Sequence, residues 1–151
     1  MYRALACLTE EHTPWVLPLA ACVCWISCYV ALLLEQRVRK GGAWAPTWLL
    51  AAAFSAGAGI WSTHFIGMLG YDPGIVVGYE MATTALSLIV AVAAALVAFT
   101  LLRAARRDTP WVGALAGLIL GGGIACMHFL GIAGVVLPGR FDWDLALALA
   151  A

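Results

Sequence analysis

Residues 57–67 read GAGIWSTHFIG, and residues 121–131 read GGGIACMHFLG. The two stretches align without a gap at an offset of 64 residues. Similarity at a fixed period is typical of a repeat architecture, so the chain is predicted to contain one structural unit twice. Six of the eleven paired positions are identical: Gly57/Gly121, Gly59/Gly123, Ile60/Ile124, His64/His128, Phe65/Phe129 and Gly67/Gly131.

The composition around these stretches places the chain in a membrane. Of the 151 residues, 64% are hydrophobic and 11% are charged. Soluble domains have about 45–50% apolar and about 25% charged residues, so an ordinary soluble domain is excluded. Disorder requires the opposite composition. Eight basic residues balance eight acidic ones, which leaves no basic surface for nucleic acid.

Four apolar segments are long enough to cross a bilayer, which needs about 20 residues per helix. Because the repeat covers one inward and one outward span, we predict an all-α integral membrane protein. Its four transmembrane helices form two parallel-repeated hairpins, at about 14–70 and 75–137, and residues 143–151 start an incomplete fifth helix. All belong to one domain, 1–151. The predicted spans are Pro14–Leu34, Thr47–Leu69, Ile75–Leu102 and Trp111–Leu137.

The basic residues predict the orientation of these spans. Six of the eight lie in the two loops that join helices within a hairpin, and cytoplasmic loops carry the excess of Lys and Arg. We therefore expect both loops in the cytoplasm, the N-terminus outside, and a multi-pass protein of a bacterial inner membrane surrounded by lipid. The six are Arg37, Arg39, Lys40, Arg103, Arg106 and Arg107.

The two repeated histidines are the first candidates for function. His64 and His128 lie at matching depth in two outward-running helices, and His12 lies on the same side of the membrane. An ionisable residue within a span is costly unless it has a partner, so it indicates a functional site.

Two methionines accompany the histidines. Met68 follows His64 by four residues and shares its helix face, while Met127 adjoins His128. Imidazole nitrogen and thioether sulfur together favour copper, especially Cu(I). The predicted metal ligands are therefore His64, Met68, Met127 and His128. His12 and Cys126 are possible additional ligands. Glu80 could orient an imidazole by accepting a hydrogen bond from the ring nitrogen that does not bind the metal.

Other interpretations of the same residues remain open. Two histidines at equal depth on separate helices could ligate one haem iron axially. Alternatively, the chain is a non-catalytic structural subunit whose histidines hydrogen-bond across the hairpins. No Ser-His-Asp set, phosphate loop or paired carboxylates occurs, so we do not expect an enzyme.

The repeated stretches resemble the MHYT domain, an integral membrane sensor domain of bacteria named for the residues Met-His-Tyr-Thr. The resemblance rests on residues 59–69 and 121–131, and on Tyr79, Glu80 and Ser87 after the first copy. It covers nearly the whole chain, as a partial copy with two of the usual three motifs. Thr63 stands where the first motif has Met, Phe129 and Leu130 replace Tyr and Thr, and Ile132 replaces the Met that follows.

The resemblance implies a sensor function. In this family the Met and His residues are proposed to hold copper and to sense oxygen, carbon monoxide or nitric oxide. The domain is commonly followed by a cytoplasmic cyclic-di-GMP enzyme or a histidine kinase. The expected function is thus a membrane signalling domain that binds copper near the outer face and relays a gas signal to a cytoplasmic output.

Overall fold

The computed structural model describes residues 15–70, 77–104 and 110–136. Four helices in these ranges are long and apolar enough to cross a membrane. The prediction of an all-α fold with four transmembrane helices is confirmed. The predicted fifth helix, 143–151, lies outside the described residues. The helices are α1 (Val16–Arg39), α2 (Ala45–Leu69), α3 (Met81–Ala104) and α4 (Pro110–Ala133).

The outer ends of the last two helices differ from the sequence prediction. The third span was expected to begin near Ile75 and the fourth to end near Leu137, but α3 begins at Met81 and α4 ends at Ala133. Two short antiparallel strands adjoin these helix ends: β1 (Gly78–Tyr79) precedes α3, and β2 (Val135–Val136) follows α4. The pairing satisfies backbone groups that would otherwise be unpaired beyond the helix ends. The β-branched Val135 and Val136 favour this extended conformation.

The first helix also runs further than expected. It continues from Leu34 to Arg39, so Arg37 and Arg39 lie in its last turn instead of in the loop. Basic side chains are favourable at this end because the helix dipole places partial negative charge there. Arg39 also forms an ion pair with Glu35, one turn earlier.

The four helices form a row in which each packs against the next. Contacts are most extensive within the pairs α1–α2 and α3–α4, and α2 joins the pairs by packing against α3. This is the arrangement that two consecutive hairpins require. The centre of the packing is a cluster of small side chains, which let helix backbones approach closely. It contains Ala31, Ala53, Ala56 and Ala95.

Large apolar side chains point away from this small-residue core. Trp25, Leu118 and Ile89 are each more than half exposed. Large side chains outside and alanines inside reverse the usual order of a soluble protein. Lipid can cover such a surface, which agrees with a multi-pass membrane protein.

Candidate metal centre

The two repeated histidines touch each other across the hairpins. The Nδ1 atoms of His64, on α2, and His128, on α4, lie 3.2 Å apart. The ring centroids are 4.8 Å apart, with an angle of 67° between the ring planes. Each ring is half-buried, and each histidine lies five residues before the last residue of its helix. Equal positions in two parallel helices therefore bring the imidazoles to one level of the bundle.

Glycine makes this approach possible. A Cβ atom on Gly131 of α4 would lie 2.6 Å from His64 Nε2, so any side chain at this position would have to displace the imidazole. Further along α2, a Cβ on Gly57 would lie 2.6 Å from the backbone of Val92 in α3. Both positions lie between the two hairpins, and both allow contact that a larger residue would prevent.

Nε2 of the His64 ring is a buried polar atom. His64 Nε2 is buried and has no hydrogen bond among the described residues. Buried polar atoms in native structures are normally paired, so such an atom requires an explanation.

A cluster of aromatic rings contacts His64 through Phe65. Phe65 makes an edge contact with the imidazole, with centroids 5.3 Å apart. Trp61 packs on Phe65 at 4.5 Å, and Tyr79 of β1 meets the same phenyl ring edge-on at 5.9 Å. Burial raises the pKa of the Tyr79 phenol above its ordinary value, so the group is a neutral hydroxyl at physiological pH.

A hydrogen bond ties this aromatic cluster to the second hairpin. Trp61 Nε1 donates to Ser87 Oγ on α3 at 3.0 Å. Ser87 is fully buried, and its hydroxyl donates in turn to the carbonyl oxygen of Thr84 at 2.7 Å. A buried indole N–H needs such an acceptor. Spacing did not predict this bond, although Ser87 was a signal for it as one of the few polar residues in its span.

The two predicted methionine ligands differ in their surroundings. Met127 is 1% exposed and lies between Gly123, which faces α3, and Gly131, which faces His64. It is therefore in the interior of the bundle, on the side of α4 that adjoins the histidine pair. Met68 is half-buried and lies about 40° around α2 from His64.

The two remaining candidates that the structure describes, Cys126 and Glu80, form no metal-binding group with the histidine pair. Cys126 is exposed and lies about 160° around α4 from His128. Glu80 is exposed, and its carboxylate accepts a hydrogen bond from the Thr83 hydroxyl at the start of α3. His12 lies outside the described residues. Within those residues, no three or more His, Cys, Asp or Glu side chains form a group that could hold a metal ion.

Comparison with known proteins identifies the repeated unit. Residues 57–117 and 121–151 match MHYT, described as a bacterial signalling protein N-terminal repeat. The chain belongs to the MHYT family. The two matched pieces agree with the prediction of a partial copy, and they carry the two histidine motifs described above.

The relatives of this MHYT chain are bacterial signalling proteins. An uncharacterised signalling protein of Caulobacter vibrioides is 33% identical over 97% of this chain. In Pseudomonas aeruginosa, the bifunctional diguanylate cyclase/cyclic di-GMP phosphodiesterase MucR is 37% identical over 91% of it. The cyclic di-GMP phosphodiesterase NbdA of the same organism is 36% identical over 93%. The chain spans only 18%, 20% and 19% of these relatives, respectively. No solved structure matches it.

Proposed function

We propose that this MHYT domain is a signalling module that holds a copper ion between His64 and His128 and responds there to a diatomic gas. The observation that carries the proposal is the 3.2 Å separation of the two Nδ1 atoms. Two imidazoles that bind one tetrahedral ion at about 2.0–2.1 Å have nitrogens about 3.3 Å apart. The pair thus needs little movement to act as a chelate.

The chemistry of the surrounding side chains suits a soft ion. Met127 and Met68 can add thioether sulfur, which selects Cu(I) over harder ions. No carboxylate of the described residues lies in the group, and the apolar ring of Phe65 contacts His64 edge-on. A Cu(I) ion with an open coordination position would supply the binding chemistry for oxygen, carbon monoxide or nitric oxide.

The fold offers a route from the histidines to the rest of the bundle. His64 belongs to the first hairpin and His128 to the second, so a change in their separation moves one hairpin against the other. The bond from Trp61 to Ser87 couples α2 to α3. The strand pair ties α3 to the end of α4 through Glu80 N–H, which donates to the Gly134 carbonyl oxygen at 2.8 Å.

The output of this movement would lie in the cytoplasm. MucR and NbdA are named for cyclic-di-GMP chemistry, which favours a cyclic-di-GMP enzyme as the partner, with a histidine kinase as the alternative. We propose an inner-membrane location with the basic helix ends in the cytoplasm and the N-terminus outside. In this proposal the chain itself is non-catalytic.

The contact between the imidazole rings of His64 and His128 also helps to compare copper with the two alternatives, haem and a structural role. Bis-histidine haem places the macrocycle between its two axial imidazoles. Rings that touch at a 4.8 Å centroid distance leave no room for it, so this geometry favours copper over haem. A second candidate is a structural role, in which the Nδ1–Nδ1 contact is only a hydrogen bond across the hairpins.

Metal analysis of the detergent-purified chain separates these functions. We expect about one copper per chain in the wild type and loss of copper in His64→Ala and in His128→Ala. Cys22→Ala, which removes an exposed thiol on α1, is the matched control and should keep its copper. Carbon monoxide added to the reduced wild-type protein should give an infrared C–O band that is missing in both histidine variants.

Each other result points to a different function. Iron together with a Soret absorption band would show that the chain binds haem instead of copper. A folded wild type without metal would leave the structural role. If both histidine variants keep their copper, His64 and His128 are not its ligands.

A further inference from the structure

The repeat places one glycine three residues after each histidine, and the two glycines have different surroundings. A Cβ on Gly131 would lie 2.6 Å from Nε2 and 3.1 Å from Cδ2 of His64. A Cβ on Gly67 would meet no described atom within 4 Å. The sequences match at this position, but only Gly131 supports an imidazole from the opposite hairpin.

This contact determines how the His64 ring is turned. The edge that carries Nε2 and Cδ2 lies against the backbone of α4, where Nε2 is buried without a hydrogen-bond partner among the described residues. Nδ1 is therefore the nitrogen that faces His128, which also presents its Nδ1. Turning the ring by 180° about its Cβ–Cγ bond would exchange Nδ1 with Cδ2, so a carbon atom would replace the nitrogen that faces His128.

We propose that Gly131 is a positioning residue that fixes His64 with Nδ1 inward, so that both histidines bind the soft metal ion through Nδ1 and neither through Nε2. The inference rests on the proposed function, since it specifies how that metal is held. In neutral imidazole one nitrogen carries the proton and the other accepts or ligates. Coordination through Nδ1 leaves the proton of His64 on Nε2, the nitrogen that lies against Gly131 and away from His128.

Gly131→Ala and Gly67→Ala form a matched pair for the test. Both replace a helical glycine by alanine, and both lie three residues after a histidine. At Gly131 the new methyl group meets a side-chain ring, which can move, instead of backbone. The helices should therefore keep their fold while the imidazole is displaced.

Cu(I) affinity of the full chain in detergent is measured by competition with a chromogenic chelator. We expect Gly131→Ala to weaken binding roughly 10–100-fold, the range for residues that orient metal ligands, with unchanged helical circular dichroism. Gly67→Ala should bind as the wild type does. Equal affinity in both variants would overturn the role of Gly131.

The coordinating nitrogen is read directly in the wild type, so the test does not depend on how the variants fold. Full-length protein with 15N-labelled histidine is titrated with Ag(I), a soft analogue of Cu(I), and followed by NMR. We expect the Nδ1 resonances of His64 and His128 to shift on binding, with the proton kept on Nε2. In Gly131→Ala the His64 Nδ1 shift should be lost.

The possible failures can be distinguished. Shifts at Nε2 on binding would overturn the Nδ1 assignment while leaving the histidine metal site in place. If folded wild-type protein bound neither Ag(I) nor Cu(I), both the metal site and this inference would be wrong.

Discussion

The two hairpins have the same helix packing within each hairpin, but the repeated residues make different contacts between the hairpins. Within the first, Gly59 of α2 fits against Ser27 of α1, and a Cβ there would overlap the serine side chain. Within the second, the matching Gly123 of α4 fits against Ala94 of α3 in the same way. The repeated glycine thus has the same function in both hairpins, because each outward-running helix packs on the helix before it.

Between the hairpins the equivalence ends. Gly57 lies against the backbone of Val92, whereas its counterpart Gly121 faces open space in the part of the chain that the structure describes. One copy of the motif therefore joins the hairpins, and the other presents the same surface without a described neighbour. Identical residues in a repeat need not carry equal energy, and the following predictions measure the difference.

The largest difference is expected between Gly57→Ala and Gly121→Ala. At Gly57 the new methyl group meets backbone atoms, which cannot move without separating α2 from α3. Overpacking of this kind costs about 1–3 kcal/mol or more. At Gly121 the methyl group meets nothing described, and alanine is the better helix former by about 1 kcal/mol. SDS titration in mixed micelles measures both free energies of unfolding. Equal losses at the two sites would contradict the comparison.

The next largest loss of stability is expected from breaking the hydrogen bond between Trp61 and Ser87. The second repeat has no counterpart of this bond, because Ala125 occupies the position of the tryptophan. Ser87→Ala leaves the indole N–H unpaired, and we expect a loss of about 1–2 kcal/mol in the free energy of unfolding. Trp61→Phe should cost a similar amount, and the double variant little more than either single one, since both changes remove one bond.

Thr100→Ala is the control for this pair. Its hydroxyl is exposed and donates to the Leu96 carbonyl oxygen in its own helix, so the change should stay within about 0.5 kcal/mol. A fully additive double variant of Trp61 and Ser87 would show that no energy is shared between them.

A smaller effect is expected at the start of α3. The Glu80 carboxylate lies at the positive end of the helix dipole and accepts a hydrogen bond from Thr83. Glu80→Gln removes the charge, so thermal unfolding in detergent should show a loss of about 0.3–1 kcal/mol at low salt. The loss should shrink as salt is added, because the interaction is screened. A loss that does not depend on salt would exclude the dipole as its cause.

The smallest effect concerns Tyr79, whose counterpart at the start of the first hairpin is Trp15, an aromatic residue with no ionisable group. Burial raises its pKa, so the folded protein holds the phenol proton more tightly than the unfolded chain. Stability is then unaffected below the ordinary tyrosine pKa of about 10, and it falls as the pH rises above that value. Tyr79→Phe should lose this alkaline decline. An identical pH profile in the variant would assign the decline to other groups.

The sequence predicts the helices and the repeat because both extend over many residues and so give a strong signal. Apolar runs of membrane length identify all four helices, and the offset of 64 residues places His64 and His128 at one level. The short strands escape prediction because two residues carry no periodicity, and Val135 and Val136 fit an apolar helix equally well.

The orientation of the site could not be predicted for a different reason. Which nitrogen of His64 faces inward depends on contact with Gly131 from another helix, and sequence spacing does not contain that contact. Cys126 is a different case: adjacency to Met127 in sequence suggested a ligand, but helical spacing alone turns its side chain away from His128, which is two residues further along α4.

A double-mutant cycle on the histidines tests the central claim, that the two hairpins contribute to one metal site. Cu(I) affinity is measured for the wild type, His64→Ala, His128→Ala and the double variant by chelator competition. A shared site predicts that each single change weakens binding to the same extent and that the double variant binds no more weakly than either one, because the site is already lost. Losses that add independently, or one variant that keeps wild-type affinity, would contradict a site shared between the repeats.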